Sequence, residues 1–392
     1  MSPDHAPKSN ALGIVLSGGG ARGAYVAGVI RYLYTELPSA LGYRPWPRYV
    51  SGTSVGSING YFCACHDSLE IRKMTELWTN LQIDQMYNLP KTSFSALQHA
   101  YRALFSASFF DSTPFSKLVQ QEASRRTLRK SINRKLCHGF LVHATHMVSG
   151  RKTIFADVAE GVQVPKTLDS IIQYTKIYPE HILASTAIPM LFPPASVNGE
   201  LYLDGNLRQY APLQPMLSMD VNRVLLLATR SVSDEHGDYP SPQNVSLPNI
   251  AGYALNAMGK DEIERDLITA DQINTMIDWG IQNYGSDFGE RLRQDTGIEK
   301  TKLLHIRPSI SLSKLAYDVF DDVFEKGGIQ ADSNVSWFLK KVHEQSDAES
   351  GSVTLSCLLF DRAYTQAAED LGFNDAKAMK DELIEFFGSQ PL

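Results

Sequence analysis

Ala11-Leu12-Gly13-Ile14-Val15-Leu16-Ser17-Gly18-Gly19-Gly20-Ala21-Arg22-Gly23 is the stretch that decides the fold. Ala11 to Leu16 is a short apolar run suited to a strand buried on both faces. The glycine cluster ends it. Tyr25, Val29, Leu33 and Leu37 then recur every fourth residue, a helical stripe that Pro38 stops. The opening therefore reads strand, glycine turn, helix.

The same unit repeats. Arg48 to Ser51 is a short strand, Gly52-Thr53-Ser54-Val55-Gly56 a tight turn, and Ile58, Tyr61, Phe62 and Cys65 a helical face. Gly139 to Val148 is expected to pair with Lys152 to Ala156 around Ser149-Gly150. Asn198-Gly199 marks a hairpin before the strand Leu201-Tyr202-Leu203. Val221 to Ala228 and Lys302 to Ile306 read as buried strands, and Ile250 to Gly280 as mostly helix. Leu359 to Phe387 reads as two helices, the first closed by Gly372 and the second starting near Asn374. Strands alternating with helices predict a three-layer α/β/α fold on a mostly parallel central sheet, with a helical C-terminal part. Residues 1–10 are expected to be a tail, 11–310 the main domain, and 311–392 a helical part packed on it.

The composition narrows the classes. The 392 residues are 43% hydrophobic and 20% charged, too apolar for a disordered chain. A net charge of -6 disfavours a nucleic-acid partner. No apolar run approaches the roughly 18 residues of a membrane span. The start, MSPDHAPKSN, has neither the basic nor the apolar region of a secretory signal. Cys63, Cys65, Cys137 and Cys357 are too few for a disulfide scaffold, and no His, Cys, Asp or Glu grouping has metal-ligand spacing. The expectation is a cytoplasmic chain, or one exported without a signal peptide, that needs no metal or other cofactor.

Charge is unevenly spread. Residues 91–152 carry eleven Lys or Arg against Asp111 and Glu122, net +9, leaving -15 for the rest. Arg125 to Lys135 holds six basic residues and no acid. With Phe94, Tyr101, Phe105, Phe109 and Phe110 beside them, residues 91–135 read as a lid or a membrane-facing segment. Arg125, Arg126, Arg129 and Lys130 are then the candidate contacts with anionic lipid. A solvated basic face is the plainer explanation of the same charges.

Gly18-x-Gly20-x-x-Gly23, after a strand and before a helix, suits either a pyrophosphate or an oxyanion, because helix N-termini present free N–H groups to negative charge. A nicotinamide site also wants an acid at the end of the next strand. Tyr49-Val50-Ser51 ends in Gly52-Thr53-Ser54 instead. A dinucleotide-binding oxidoreductase is the weaker reading.

Gly52-Thr53-Ser54-Val55-Gly56 has the G-x-S-x-G pattern of a nucleophile elbow, with Ser54 at a helix N-terminus. A serine needs a base. Of the ten histidines only His236, His305 and His343 follow residue 204, and His305 sits in an apolar strand. His143 and His146, three apart in a strand, point to opposite faces. A carboxylate is the alternative, and Asp204-Gly205-Asn206 the candidate, although alone it reads as a turn.

The Gly18–Gly23 loop with Arg22, the Gly52–Gly56 elbow, Asp204-Gly205 and the Ala184-Ser185-Thr186-Ala187-Ile188-Pro189 to Pro194 stretch together resemble the patatin-like phospholipases, over about residues 11–215. The resemblance implies a Ser–Asp dyad, with Ser54 as nucleophile and Asp204 as base. It implies an oxyanion hole lined by Gly18, Gly19, Gly20 and Arg22. The substrate would be a phospholipid or other lipid ester, met at a membrane surface. Asn206 departs from the Gly or Ala frequent at that position in the family. A transacylase would use the same residues, and a catalytically silent interaction module would keep the fold; intact Ser54 and Asp204 argue against the latter.

Overall fold

The computed structural model describes residues 11–89, 108–123, 125–166, 169–231, 260–326, 333–346 and 351–388, with Ile250, Ala254 and Ala257. The expected tail and the aromatic stretch from Phe94 to Phe105 lie outside these residues.

Among the described residues one sheet of nine strands runs through the molecule. They are β1 (Leu12–Leu16), β2 (Tyr49–Thr53), β3 (Gly139–His146), β4 (Lys152–Val158), β5 (Ser170–Tyr174), β6 (Ala195–Val197), β7 (Glu200–Asp204), β8 (Arg223–Leu227) and β9 (Lys302–Ile306). The order is β5-β4-β3-β2-β1-β8-β9, with β7 on the end of β3 and β6 on β7. β1 pairs in parallel with β2 and β8, β2 with β3, β8 with β9, and β4 with β5. β3 with β4, β3 with β7 and β6 with β7 are antiparallel. Three-layer packing on a mostly parallel sheet is thus what the chain builds.

Both faces of β1 are buried, which is why it reads as a continuous apolar run. Leu12, Ile14 and Leu16 enter one apolar cluster, with helices α1 (Gly23–Thr35) and α2 (Val55–Ala64). Val15 enters the other, beneath Leu213, Met216 and Ile263. Further helices used below are α3 (Ser68–Thr79), α4 (Thr113–Glu122), α5 (Arg125–Asn133), α6 (Pro179–Ser185), α7 (Lys260–Tyr284), α8 (Leu312–Glu325), α9 (Val353–Leu358) and α10 (Arg362–Ala378).

Three expectations need correction. β9 is the last strand of the sheet order and only Ile306 of it is buried, because an edge strand is covered on fewer sides. Pro38 does not simply end a helix; it sits in the first turn of a short one, Leu37–Leu41, where its missing N–H is harmless. Gly372 does not close a helix either. α10 runs unbroken from Arg362 to Ala378, and Gly372 is where it crosses α1. A Cβ on Gly372 would stand 1.9 Å from the carbonyl oxygen of Tyr25, and one on Gly28 would stand 1.8 Å from that of Glu369. Glycine allows this contact because it lets two helix backbones meet without a side chain between them.

The C-terminal helices, expected as a part packed on the domain, enter the same apolar cluster as β1 and α1. Leu312, Phe320, Leu355, Leu358, Tyr364, Phe386 and Phe387 are all in it. Each such side chain contributes roughly 1.5–3 kcal/mol on burial. The α1–α10 contact is also held by a two-pronged ion pair, Arg31 Nε and Nη2 to Glu369 Oε1 and Oε2 at 2.5 and 2.8 Å.

Candidate active site

Sheet register brings together residues that are 150 apart in sequence. Thr53 of β2 lies opposite His143 of β3, and Asp204 of β7 lies opposite Ala144, the next residue of β3. Ser54, one step past β2, therefore meets Asp204. Its Oγ donates to Asp204 Oδ2 at 2.6 Å, and both residues are buried.

Ser54 sits at φ 53°, ψ -128°, a left-handed conformation that costs roughly 1–3 kcal/mol for a residue other than glycine. The neighbourhood holds it there. Its N–H donates to Ser185 Oγ at 2.8 Å, and its carbonyl accepts from Ser57 Oγ at 2.6 Å. Ser185 Oγ in turn donates to the His143 carbonyl at 2.6 Å. The flanking glycines of the elbow are required by contact. A Cβ on Gly52 would meet the Gly56 carbonyl oxygen at 2.3 Å, and one on Gly56 would meet that of Leu16 at 2.4 Å.

Asp204 is not a hairpin turn. It ends β7 and caps a single helical turn, Gly205–Leu207, accepting the Asn206 N–H on Oδ1 at 2.8 Å. That leaves Oδ2 for Ser54. Burial pushes the Asp204 carboxyl up to about 7, while the Ser54 and Asn206 hydrogen bonds pull it back toward ionisation. No histidine hydrogen-bonds Ser54 Oγ among the described residues. His143 is buried against Ser51 Oγ at 2.8 Å, and desolvation lowers it to about 3, so it stays neutral. His305 is likewise held down to about 4 by burial. No group of three or more His, Cys, Asp or Glu fit to hold a metal occurs among the described residues.

The glycine loop divides its labour. The Gly18 N–H is spent on the Tyr210 carbonyl at 3.0 Å, and its own carbonyl accepts from Thr229 Oγ1 at 2.7 Å. Gly18 is thus an anchor of the loop, not a donor to an oxyanion. Gly19 and Gly20, at φ 148° and 60°, follow it, and no hydrogen bond is made by their N–H groups among the described residues. Arg22 is buried, and its Nε and Nη2 donate to Ser356 Oγ and Ser313 Oγ at 2.8 and 2.9 Å. Through it the loop is tied to α8 and α9. Gly20 itself lies against the Cys357 carbonyl, where a Cβ would come within 2.3 Å.

Two cavities meet at this point. An apolar one begins at Ser54 and Gly20 and is walled by Ile58, Trp78, Leu81, Phe115, Val119 and Phe360. Glu122, ion-paired with Lys73 at 3.0 Å, also lines it. The other, more polar, is lined by Gly19, Gly20, Asp204, Asn206 and Arg230 among others. Gly20 and Ile188 border both.

Among the basic residues singled out for lipid contact, Arg126 and Lys130 on α5 are exposed. Arg129 is not available: it is paired with buried Asp157, whose other oxygen accepts the Ile177 N–H at 2.9 Å. The side chain of Arg125 lies outside the described residues. Phe110 is core, packed against Tyr87 and Phe192.

Sequence reasoning assigned no role to Ser185, Tyr210, Thr229, Arg230, Ser313 or Ser356. Ser185 lay within a quoted stretch, yet nothing in its spacing marks a hydroxyl aimed at the Ser54 N–H. Ser313 and Ser356 reach Arg22 across 291 and 334 residues, beyond any local signal.

Comparison with solved structures gives distant likenesses. VipD from Legionella pneumophila is 13% identical with a TM-score of 0.34, covering 91% of this chain and 92% of that one. Human GIVD cytosolic phospholipase A2, in complex with methyl gamma-linolenyl fluorophosphonate and terbium chloride, is 12% identical with a TM-score of 0.44. That match covers 99% of this chain, which spans only 60% of the human one. Full-length ExoU with SpcU from Pseudomonas aeruginosa is 12% identical, with a TM-score of 0.29 over 90% of this chain and 71% of that one. No curated protein matches. The sequence model of the patatin-like phospholipases matches residues 14–217, more than half of the 392, and the chain belongs to that family.

Proposed function

We propose that this protein is a lipid acyl hydrolase of the phospholipase or lysophospholipase A type, working through an acyl-serine on Ser54. One observation carries the reading: a buried serine hydroxyl, 2.6 Å from a buried carboxylate, at the mouth of an apolar cavity. Its apolar wall suits an acyl chain.

Asp204 Oδ2 accepts the Ser54 proton as Oγ bonds to the ester carbonyl carbon. The carbonyl π electrons move to oxygen, and the oxyanion is met by the N–H groups of Gly19 and Gly20. Losing one such donor costs about 3–4 kcal/mol in hydrolases of known mechanism. The intermediate collapses, the C–O bond to the alcohol breaks, and Asp204 returns the proton to the leaving oxygen. Water then repeats the sequence on the acyl-serine, giving fatty acid and free Ser54. A carboxyl held near 7 serves both directions, since its proton affinity is matched to neutral pH. Arg22 supports the loop from behind. Arg126 and Lys130, exposed on α5, are the proposed contacts with an anionic lipid surface, each worth about 1 kcal/mol.

The test is labelling by a fluorophosphonate probe, with hydrolysis of a phospholipid panel followed by product analysis. Wild type should be labelled and release fatty acid, whereas Ser54→Ala should do neither and Asp204→Asn should lose hydrolysis. Undiminished hydrolysis by Ser54→Ala would sink the assignment.

A further inference from the structure

The apolar cavity that starts at Ser54 meets a charge. Glu122 is the one charged side chain among the described residues that line it. Two helices measure how far from Ser54 it lies. Along α2, Val55 stands beside Ser54 and Tyr61 comes two turns later, roughly 10 Å on at 1.5 Å per residue. Along α3 the direction is reversed. Val55 and Trp78 stand together against Gly23, which places Trp78 at the Ser54 end. Lys73 is five residues earlier, about 7.5 Å back along the helix axis. The two helices come together again there, where the charge of Glu70, one turn before Lys73, acts on the Tyr61 hydroxyl. Lys73 and its partner Glu122 therefore sit at the end of the cavity remote from Ser54.

Lys73 Nζ holds the last turn of α4 twice, on the Glu122 carboxylate at 3.0 Å and on the Glu122 carbonyl at 3.2 Å. That ties α3 to α4 across the end of the cavity. The two side chains are 38% and 29% exposed, so the pair keeps part of its water and stands outside the core. Its effect falls on what enters the cavity. A methylene moved from water to the walls of Leu77, Leu118 and Val119 gains the full benefit of apolar burial. One pushed against a hydrated ion pair gains none and strips water from charge.

Resting on the hydrolase reading, we infer that the Lys73–Glu122 pair is the length stop of the acyl cavity. It sets the longest acyl group the enzyme takes, and it accepts a polar chain end where it rejects a methyl.

The test is a homologous series of straight-chain alkyl fluorophosphonates, whose head is fixed at Ser54 while the tail grows by one methylene at a time. The rate of labelling of the full chain is read. In wild type each methylene should raise the rate about fourfold until the tail reaches the pair, and not beyond. In Glu122→Leu the rise should continue past that length, so the ratio of long-chain to short-chain labelling grows by roughly tenfold or more. The same ratio in both proteins, or an equal change at every length, overturns the inference. A second arm needs no variant and decides should Glu122→Leu fail to fold. A hydroxyl at the tail end should slow the short members by roughly tenfold, because it is buried without a partner. At the length that reaches Glu122 it should cost nothing, because the carboxylate accepts it. A hydroxyl that slows every length alike refutes the stop. Labelling in the expected pattern without ester hydrolysis counts against the hydrolase reading alone. Hydrolysis with no stop counts against the stop alone, and a Ser54 that no probe labels takes down both.

Discussion

Asp204→Asn should stabilise the protein while silencing it, and the gain should depend on pH. The carboxyl is fully buried, and desolvation raises it from 3.8 to about 7. A shift of that size corresponds to roughly 4 kcal/mol, at 1.36 kcal/mol per pH unit. Between pH 4 and 7 the folded protein holds this proton and the unfolded chain has lost it, so stability falls as pH rises through that window. Asparagine fills the same space, keeps Oδ1 for the Asn206 N–H and carries no charge at any pH. The two proteins should be near-equal in stability at pH 4. The variant should be ahead by up to about 4 kcal/mol at pH 8. Urea unfolding of both proteins across this range measures the difference, and subtracting one curve from the other removes every group they share. A difference that is flat from pH 4 to 8, or that favours wild type at pH 8, would refute the claim that Asp204 is a desolvated base.

In the proposed mechanism the same carboxyl is the proton acceptor and must be ionised, so kcat/KM should fall below pH about 7 and level off above it. A rate independent of pH from 5 to 8 would contradict it. Ser54→Gly should be more stable than Ser54→Ala by about 1 kcal/mol, because glycine accepts φ 53° without strain, and neither should react with the fluorophosphonate. Gly372→Ala forces a methyl to within 1.9 Å of the Tyr25 carbonyl oxygen and should destabilise by more than about 3 kcal/mol; an unaltered melting temperature would show that the helices can part freely. Arg126→Glu with Lys130→Glu should weaken binding to anionic liposomes with little loss of stability, whereas Arg129→Glu should chiefly lower the melting temperature by leaving Asp157 beside a like charge. Liposome binding that ignores the first pair would remove α5 from the lipid contact.

Local chemistry made much of the site legible. The run from Leu12 to Leu16 reads as a doubly buried strand because it is one. The elbow was readable because its glycines answer close backbone contacts that fix their spacing. Asp204 was harder: Asp-Gly is ordinary turn chemistry, and only pairing of β7 with β3 turns it toward Ser54. Gly372 misled because a glycine that lets two helices touch looks, in one dimension, like a glycine that ends a helix. Gly18 misled for a related reason, since being in a donor loop does not reveal whether a particular N–H is already taken. Arg129 and Phe110 looked like surface features because charge and aromatic content carry no information about a buried partner. The second cavity was invisible. Its walls come from the ends of β1, β7 and β8 and from α9, and no periodicity links Gly19, Asn206 and Arg230.

The wall behind Gly20 is the Cys357 carbonyl, and the hydroxyls holding Arg22 belong to Ser313 and Ser356. Translation makes these residues some three hundred positions after the loop they brace. The strands β1, β2, β3 and β7, whose pairing brings Ser54 to Asp204, all precede these bracing residues in the chain. The loop proposed to meet the oxyanion thus takes its backing from the far end of the described chain.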